Sequence, residues 1–215
     1  MAPFRIDFFP FIVVSILFIL RVSCTIPQNQ SQYEQDLYRA CTIYCWGDVL
    51  STIQLSGIYN DSKTFVDMPM KYDPENVQTN FDSIVNKSNT TQLLQFMDEN
   101  FSPVGSDLDD WVPTDFQSSP AFLDSIDNTS YREWASDINQ LWTVLGRQVN
   151  ESVLENPQRH SFVPLQYPMM VPGGRFRESY YWDSWWILKG LLVCDMPTTA
   201  MNIIDILLDE VEFFG

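Results

Sequence analysis

Between Asp36 and Leu55 the apolar positions Leu37, Cys41, Tyr44, Val49 and Ile53 recur at irregular helical spacing, and Gly47 interrupts them. The pattern predicts one helix or two short ones. The next stretch, "NDSKTFVDMPMKYDP", is polar and bounded by Pro69 and Pro74, so it reads as an extended segment. In "SNTTQLLQFMDENF", Leu93, Leu94, Met97 and Phe101 fall on one side behind Asn89 or Thr90 as a cap, which predicts a short helix. "SPVGSDLDDWVPTDFQSSPAF" is turn-rich, yet Trp111, Phe116 and Phe122 are poor occupants of a solvated tether, so an ordered loop is expected.

The strongest periodicity lies in "SYREWASDINQLWTVLGRQV". Tyr131, Trp134, Ile138, Leu141, Leu145 and Val149 recur every three or four residues, and Ser130 with Glu133 matches a capping box. A helix with its tryptophans in the core is the expectation. Pro164, Pro168 and Pro172 then exclude both a helix and a central strand. Two apolar helices follow, Trp185 to Val193 and Ala200 to Phe214, with Pro197 as the breaker and Thr198 or Thr199 as the cap. The second is apolar on most sides and requires neighbours on more than one. Long helices without βαβ alternation indicate an all-α fold, and a last helix with no successor to cover it indicates the N-terminal portion of a larger assembly.

The N-terminus changes the picture of where the protein resides. Arg5, the thirteen-residue apolar run "FFPFIVVSILFIL", and Val22 and Cys24 at the −3 and −1 positions of a cleavage site read as a signal peptide over residues 1–24. A membrane-spanning helix needs roughly 20 apolar residues, more than this run offers. Seven of the twelve asparagines, Asn29, Asn60, Asn86, Asn89, Asn100, Asn128 and Asn150, open Asn-x-Ser/Thr sequons, where coincidence delivers about two. The excess points to a glycosylated protein outside the cytoplasm, with these positions on the surface where they carry sugar.

Removing Cys24 with the signal leaves Cys41, Cys45 and Cys194, an odd number that implies a free thiol, an intermolecular bond or a partner elsewhere. Cys41 and Cys45 have neither a second cysteine pair nor a nearby histidine to complete a zinc site. Twenty-eight acids against twelve bases, a net charge of −16, exclude a nucleic-acid binder, and 45% hydrophobic content excludes wholesale disorder.

Against that acidity, "PGGRFRESYYWDSW" (Pro172 to Trp185) gathers two arginines, two acids and five aromatic rings. Gly173-Gly174 allows a backbone approach closed to other residues, with no phosphate-loop Lys-Ser or Lys-Thr after it. In an extended segment Arg175 and Arg177 would face opposite sides, one toward a ligand and one toward Glu178 or another acid. An indole face at Trp182 and a carboxylate at Asp183 suit a pyranose and its vicinal hydroxyls, with arginine as a rigid donor. The same residue types also fit a buried aromatic junction with satisfied ion pairs. Glu178 and Asp183 do not form a glycosidase pair, because five residues place them about 140° apart on a helix and on opposite faces of a strand. The lone histidine, His160, reads as an exposed or lightly hydrogen-bonded loop residue.

At these residues the chain resembles trehalase, the inverting α,α-trehalose hydrolase. The family signature Pro-Gly-Gly-Arg-Phe-x-Glu-x-Tyr-x-Trp-Asp-x-Tyr is matched at all but its last position, where Trp185 stands for tyrosine and is expected to pack. "DSKTFVDMPMK", "LWTVLGR" and "SFVPLQYPMMVPGG" are also similar to family segments. The resemblance implies an (α/α)6 barrel, here incomplete, with residues 25–215 as the N-terminal part of its catalytic domain. It implies trehalose as substrate, no metal or organic cofactor, and a location that is secreted or at the extracellular face of the plasma membrane through a C-terminal lipid anchor. Arg175, Trp182 and Asp183 would bind one glucosyl unit, and Glu178 and Tyr180 would support the site. The general acid and base would lie farther toward the C-terminus, leaving no catalytic residue in this chain and the chain alone inactive. An inactive secreted carbohydrate-binding relative and a secreted all-helical interaction protein are the alternatives.

Overall fold

Two helices open the described part of the chain, residues 30–214 of a computed structural model. The signal-peptide reading and Asn29 lie outside the described residues. α1 (Gln30–Tyr44) and α2 (Asp48–Ser56) are separated at Gly47, whose φ of 95° permits the break. The Cys41–Cys45 disulfide closes the end of α1. The stretch expected to be wholly extended holds one helical turn, α3 (Lys63–Val66), because the Asp61 side chain and carbonyl accept the Lys63 and Thr64 N–H groups at 2.9 and 3.0 Å. Pro74 does not merely bound that stretch; it opens α4 (Pro74–Asp82) as the first helical residue. α5 (Thr90–Asn100) is capped by Asn89. Its buried face is Leu93, Phe96 and Met97, while Leu94 turns outward.

These five helices surround one core. Ile43, Val49, Ile53, Phe65, Val77, Phe81 and Leu93 are fully enclosed, and Phe65, Phe81, Phe96 and Phe101 meet edge to face at 5.4–5.8 Å.

The fold is all-α as expected, but the second half adds a small open three-stranded antiparallel sheet that the pattern did not reveal: β1 (Leu108–Asp110), β2 (Gly146–Val149) and β3 (Met169–Met170), in that order. β1 lies in the expected loop, whose Trp111, Phe116 and Phe122 do pack on a core with Trp142, Met170 and Leu191. β3, between Pro168 and Pro172, takes an edge, the one place prolines allow. The long helix predicted from Ser130 to Val149 stops early as α6 (Thr129–Gln140), followed by a single turn, α7 (Trp142–Leu145), and then β2.

Two expectations for α6 fail. Its cap is Asn128, which accepts the Tyr131 N–H at 3.1 Å, with Ser130 already inside the helix. The first half of its stripe faces outward, Trp134 being 64% exposed with Tyr131, Ile138 and Leu141, whereas Trp142, Leu145 and Val149 farther along pack on the core as expected. The inward contact is polar: buried Asn139 donates to the Gln117 carbonyl at 2.7 Å. Periodicity revealed a helix but not which side has neighbours.

After α8 (Glu151–Glu155), a 3-10 turn (Pro157–Arg159) leads to His160. His160 is 4% exposed, not a surface residue, and its Nδ1 lies 2.6 Å from Asp107 Oδ1, itself buried. The Asp107 carbonyl accepts the Asn150 N–H at 2.7 Å, so the pair sits on a pinned loop.

α9 (Tyr181–Val193) and α10 (Pro197–Phe214) pack together and close the core through Leu191, Ala200, Ile203 and Ile206. The chain turns between them at Asp195, with φ of 59°. Pro197 starts α10, and its cap comes from neither threonine. Asp115, distant in sequence, accepts from the Thr198 and Thr199 N–H groups at 2.7 and 3.0 Å. Asp115→Ala is expected to destabilise the fold by about 1 kcal/mol, read as a lowered urea midpoint with unchanged m-value. Buried Cys194 has no disulfide partner among the described residues, and Trp142 Nε1 donates to its sulfur at 3.3 Å. Among the described residues no helix is long and apolar enough to cross a membrane.

Candidate functional site

The site is assembled from two segments distant in sequence. In the first, Phe65 is sunk into the core. Lys63 and Asp67, four apart across the single turn of α3, lie side by side on its outer face, with Lys63 Nζ 2.6 Å from Asp67 Oδ1. In the second, Gly173 and Phe176 exchange backbone bonds at 3.2 and 3.1 Å, closing a turn that Gly173 (φ 102°) and Gly174 (φ 61°) make possible. Arg175 occupies the corner of that turn, so strand alternation does not govern it.

Both arginines therefore pair with acids of the first segment, where one had been expected to remain open. Arg175 Nη2 lies 2.8 Å from Asp61 Oδ1, and Arg177 Nη1 lies 3.3 Å from Asp67 Oδ2. The stem of Arg177 runs over Gly105, where a Cβ would approach it to 3.2 Å. Glu178 receives two donors, the Lys63 ammonium and the Tyr180 hydroxyl. Three cations thus meet three carboxylates in a neutral patch on a strongly acidic chain.

The two carboxylates that share Lys63 are driven apart in acidity. Burial lifts Asp67 above the ordinary aspartate range despite the bond and charge of Lys63. Burial acts on Glu178 in the same direction, but the bonds from Lys63 and Tyr180 outweigh it and hold this carboxyl below the usual glutamate value. Burial and the Glu178 carboxylate together push the Tyr180 hydroxyl upward.

Tyr180 is also the residue at which α9 begins, its carbonyl accepting the Ser184 N–H at 2.9 Å and its ring touching Phe176 edge-on at 5.9 Å. Trp182 and Asp183 follow in the first turn, where a carboxylate is favoured by the helix dipole. Trp182 is 70% exposed and meets Trp186 edge to face at 5.9 Å. Asp183 is half-buried, and among the described residues no hydrogen bond or ion pair engages its carboxylate. Trp185, expected to pack, is 48% exposed with the Lys189 ammonium 4.6 Å from its ring centre. The buried aromatic junction is therefore not what forms: Tyr181, Trp182, Trp185 and Trp186 all present rings outward, while the opposite side of α9 packs through Leu191 and brings Gly190 against Trp142. An open groove of about 800 Å³ between α4 and α5, lined by Asn76, Asn80, Gln92 and Gln95 among others, includes none of Arg175, Trp182 and Asp183.

Comparison with known proteins adds a further observation: a family model described as trehalase matches residues 57–215, spanning both interlocked segments. The chain belongs to the trehalase family. Trehalases of rabbit (Oryctolagus cuniculus) and human (Homo sapiens) are each 40% identical to it, over 188 and 177 residues. These alignments cover 85% and 80% of this chain but 32% and 30% of the relatives. The trehalase of Dictyostelium discoideum is 42% identical over 179 residues, with 80% and 30% covered. The chain spans about a third of the length of the curated relatives it matches.

Within this trehalase chain the motif residues were legible, but Asp61, Lys63 and Asp67 as their partners were not. The charge pattern Asp-x-Lys-x3-Asp was the available signal, and nothing in it names a partner more than a hundred residues away. The sequons divide as well: Asn60, Asn86, Asn89 and Asn128 are exposed, whereas Asn100 is 2% exposed. Asn100 donates to the Phe96 carbonyl and accepts from Asn80, leaving no outlet for a glycan. Asn150 is half-buried, with Nδ2 on Asp109 at 3.2 Å.

Proposed function

We propose that the full-length protein hydrolyses α,α-trehalose to two glucose molecules with inversion, and that this chain supplies part of the pocket for one glucosyl unit. The observation that carries the reading is the trehalase match across residues 57–215, which includes an exposed Arg175 and Trp182 and a half-buried Asp183 beside the ion-paired segments. Arg175 holds Asp61 through one nitrogen, and a guanidinium has five N–H donors to offer. The Trp182 indole presents a face to the apolar side of a pyranose, and the unengaged Asp183 carboxylate accepts from its hydroxyls.

In this reading Glu178 is a support, already committed to Lys63 and Tyr180. The general acid that protonates the bridging oxygen and the base that activates water come from the remainder of the full-length protein, with carboxyls roughly 6.5–9.5 Å apart. α9 and α10 then form part of an (α/α)6 barrel, whose catalytic domain begins after a signal peptide of residues 1–24 and includes residues 25–215. The protein acts without a cofactor, secreted or lipid-anchored at the extracellular face, with glycans on the exposed sequons.

The test is hydrolysis of trehalose by purified full-length protein, followed by proton NMR at early times. Inversion yields one α- and one β-glucose per turnover. Absence of glucose release removes the proposal, and two α-glucose products would exclude inversion.

A further inference from the structure

We propose that Lys63 is a positioning residue for sugar recognition: its ammonium, seated between Asp67 and Glu178, fixes the start of α9 relative to the Arg175 turn, so that Arg175, Trp182 and Asp183 address one ring. The inference rests on the glucose-pocket reading above.

Each of the cross-links between the two segments has a different weight. The Arg175–Asp61 pair is half exposed and contributes little to holding the turn. Lys63 is 16% exposed at its side chain and Glu178 31%, so their ion pair is far more sheltered than the Arg175–Asp61 pair. Through Glu178 the tether reaches the Tyr180 hydroxyl, and Tyr180 is the residue on which the first turn of α9 closes. Trp182 and Asp183 follow within that turn, so any displacement at Tyr180 is passed directly to them. Arg177, the remaining cross-link, binds Asp67, the same carboxylate that Lys63 neutralises.

Without the ammonium, Asp67 and Glu178 would confront each other as like charges in a half-buried space. Their repulsion would part the two segments at the place where the pocket residues are aimed. No hydrogen bond or ion pair joins Lys63 to Trp182 or Asp183 among the described residues, so its effect on sugar is exerted indirectly, through Glu178 and Tyr180 and through Asp67.

The experiment compares full-length wild type with Lys63→Met, Lys63→Arg and Glu178→Gln, measuring kcat, KM for trehalose, Ki for a monosaccharide-like competitive inhibitor, and Tm. Misplacement of binding groups predicts that Lys63→Met raises KM and Ki together by about tenfold or more while kcat changes by less than about threefold. Lys63→Arg keeps the charge and a fork able to span two carboxylates, and restores most of the affinity. Glu178→Gln weakens the same tether and raises KM in the same direction by about threefold, which decides the matter if Lys63→Met does not fold. A lowered Tm with unchanged KM and Ki, or a loss confined to kcat, overturns the proposal. Wild-type protein that leaves trehalose intact overturns the parent reading instead, and this one with it.

Discussion

Replacing Arg175 by alanine is expected to lower kcat/KM for trehalose in the full-length protein by about 10²- to 10³-fold, the loss of two charge-assisted bonds to sugar hydroxyls at about 1.5–2 kcal/mol each. The same substitution should barely move Tm, because the Arg175–Asp61 pair is half exposed and such pairs contribute about 0–1 kcal/mol. Arg175→Lys separates the roles of charge and geometry. A lysine can still meet Asp61, but it lacks the planar fork, so only a part of kcat/KM should return. Wild-type kinetics in Arg175→Ala would remove the guanidinium from the glucose pocket. A collapse of Tm in step with activity would instead assign it to the scaffold.

The largest stability effect is expected at a residue with no functional role. A Cβ on Gly146 would lie 2.0 Å from the Trp111 carbonyl oxygen, a backbone atom one residue beyond the last pair of β1 with β2. The Trp111 N–H also donates to the Gly146 carbonyl at 3.1 Å, so the strands cannot part without losing that bond. Gly146→Ala should therefore destabilise the fold by about 3 kcal/mol. In a full-length protein about three times the length of this chain that is a fall in Tm of roughly 2–3 °C, measurable by calorimetry. A shift of a degree or less would show that β1 and β2 approach less closely than described.

The residue that makes β2 possible was also the one that could have revealed it. Gly146 ends a helical pattern, which is a stop signal, but Leu145 and Val149 continue the spacing on either side and outweighed it. The strand forms because β1 and β3 are available to pair with it, and neither partner is encoded within the window where periodicity is read. α5 is the contrasting case. Its cap Asn89 and its apolar residues lie within a few positions of each other, so the helix was legible from a short stretch, with only Leu94 assigned to the wrong side.

His160 shows the same division for a polar group. Its neighbours in sequence are polar, and nothing nearby hints that Asp107 would meet it in a buried pair. The burial depends on how the segment after α8 is laid against the loop before β1. The outward turn of Trp134 and of the α9 tryptophans has a related cause. An amphipathic pattern records that a helix has an apolar side, and says nothing of whether the described residues include the surface that would cover it.

What the sequence determined by itself was local or was carried by an unbroken run of residues: the breaks at Gly47 and Pro197, the cap at Asn89, and the signature from Pro172 to Trp185 with its resemblance to trehalase. These depend on backbone geometry and residue order over at most a few turns, which the order of residues states directly. The tertiary structure alone decided the three-stranded sheet, the seating of Lys63 between Asp67 and Glu178, the Asp115 cap on α10 and the burial of His160 and Asn100. Most of these join groups far apart along the chain, and all of them depend on where packing sets elements against one another. Hydrogen bonds and ion pairs act over a few ångströms of space, whatever the distance in sequence.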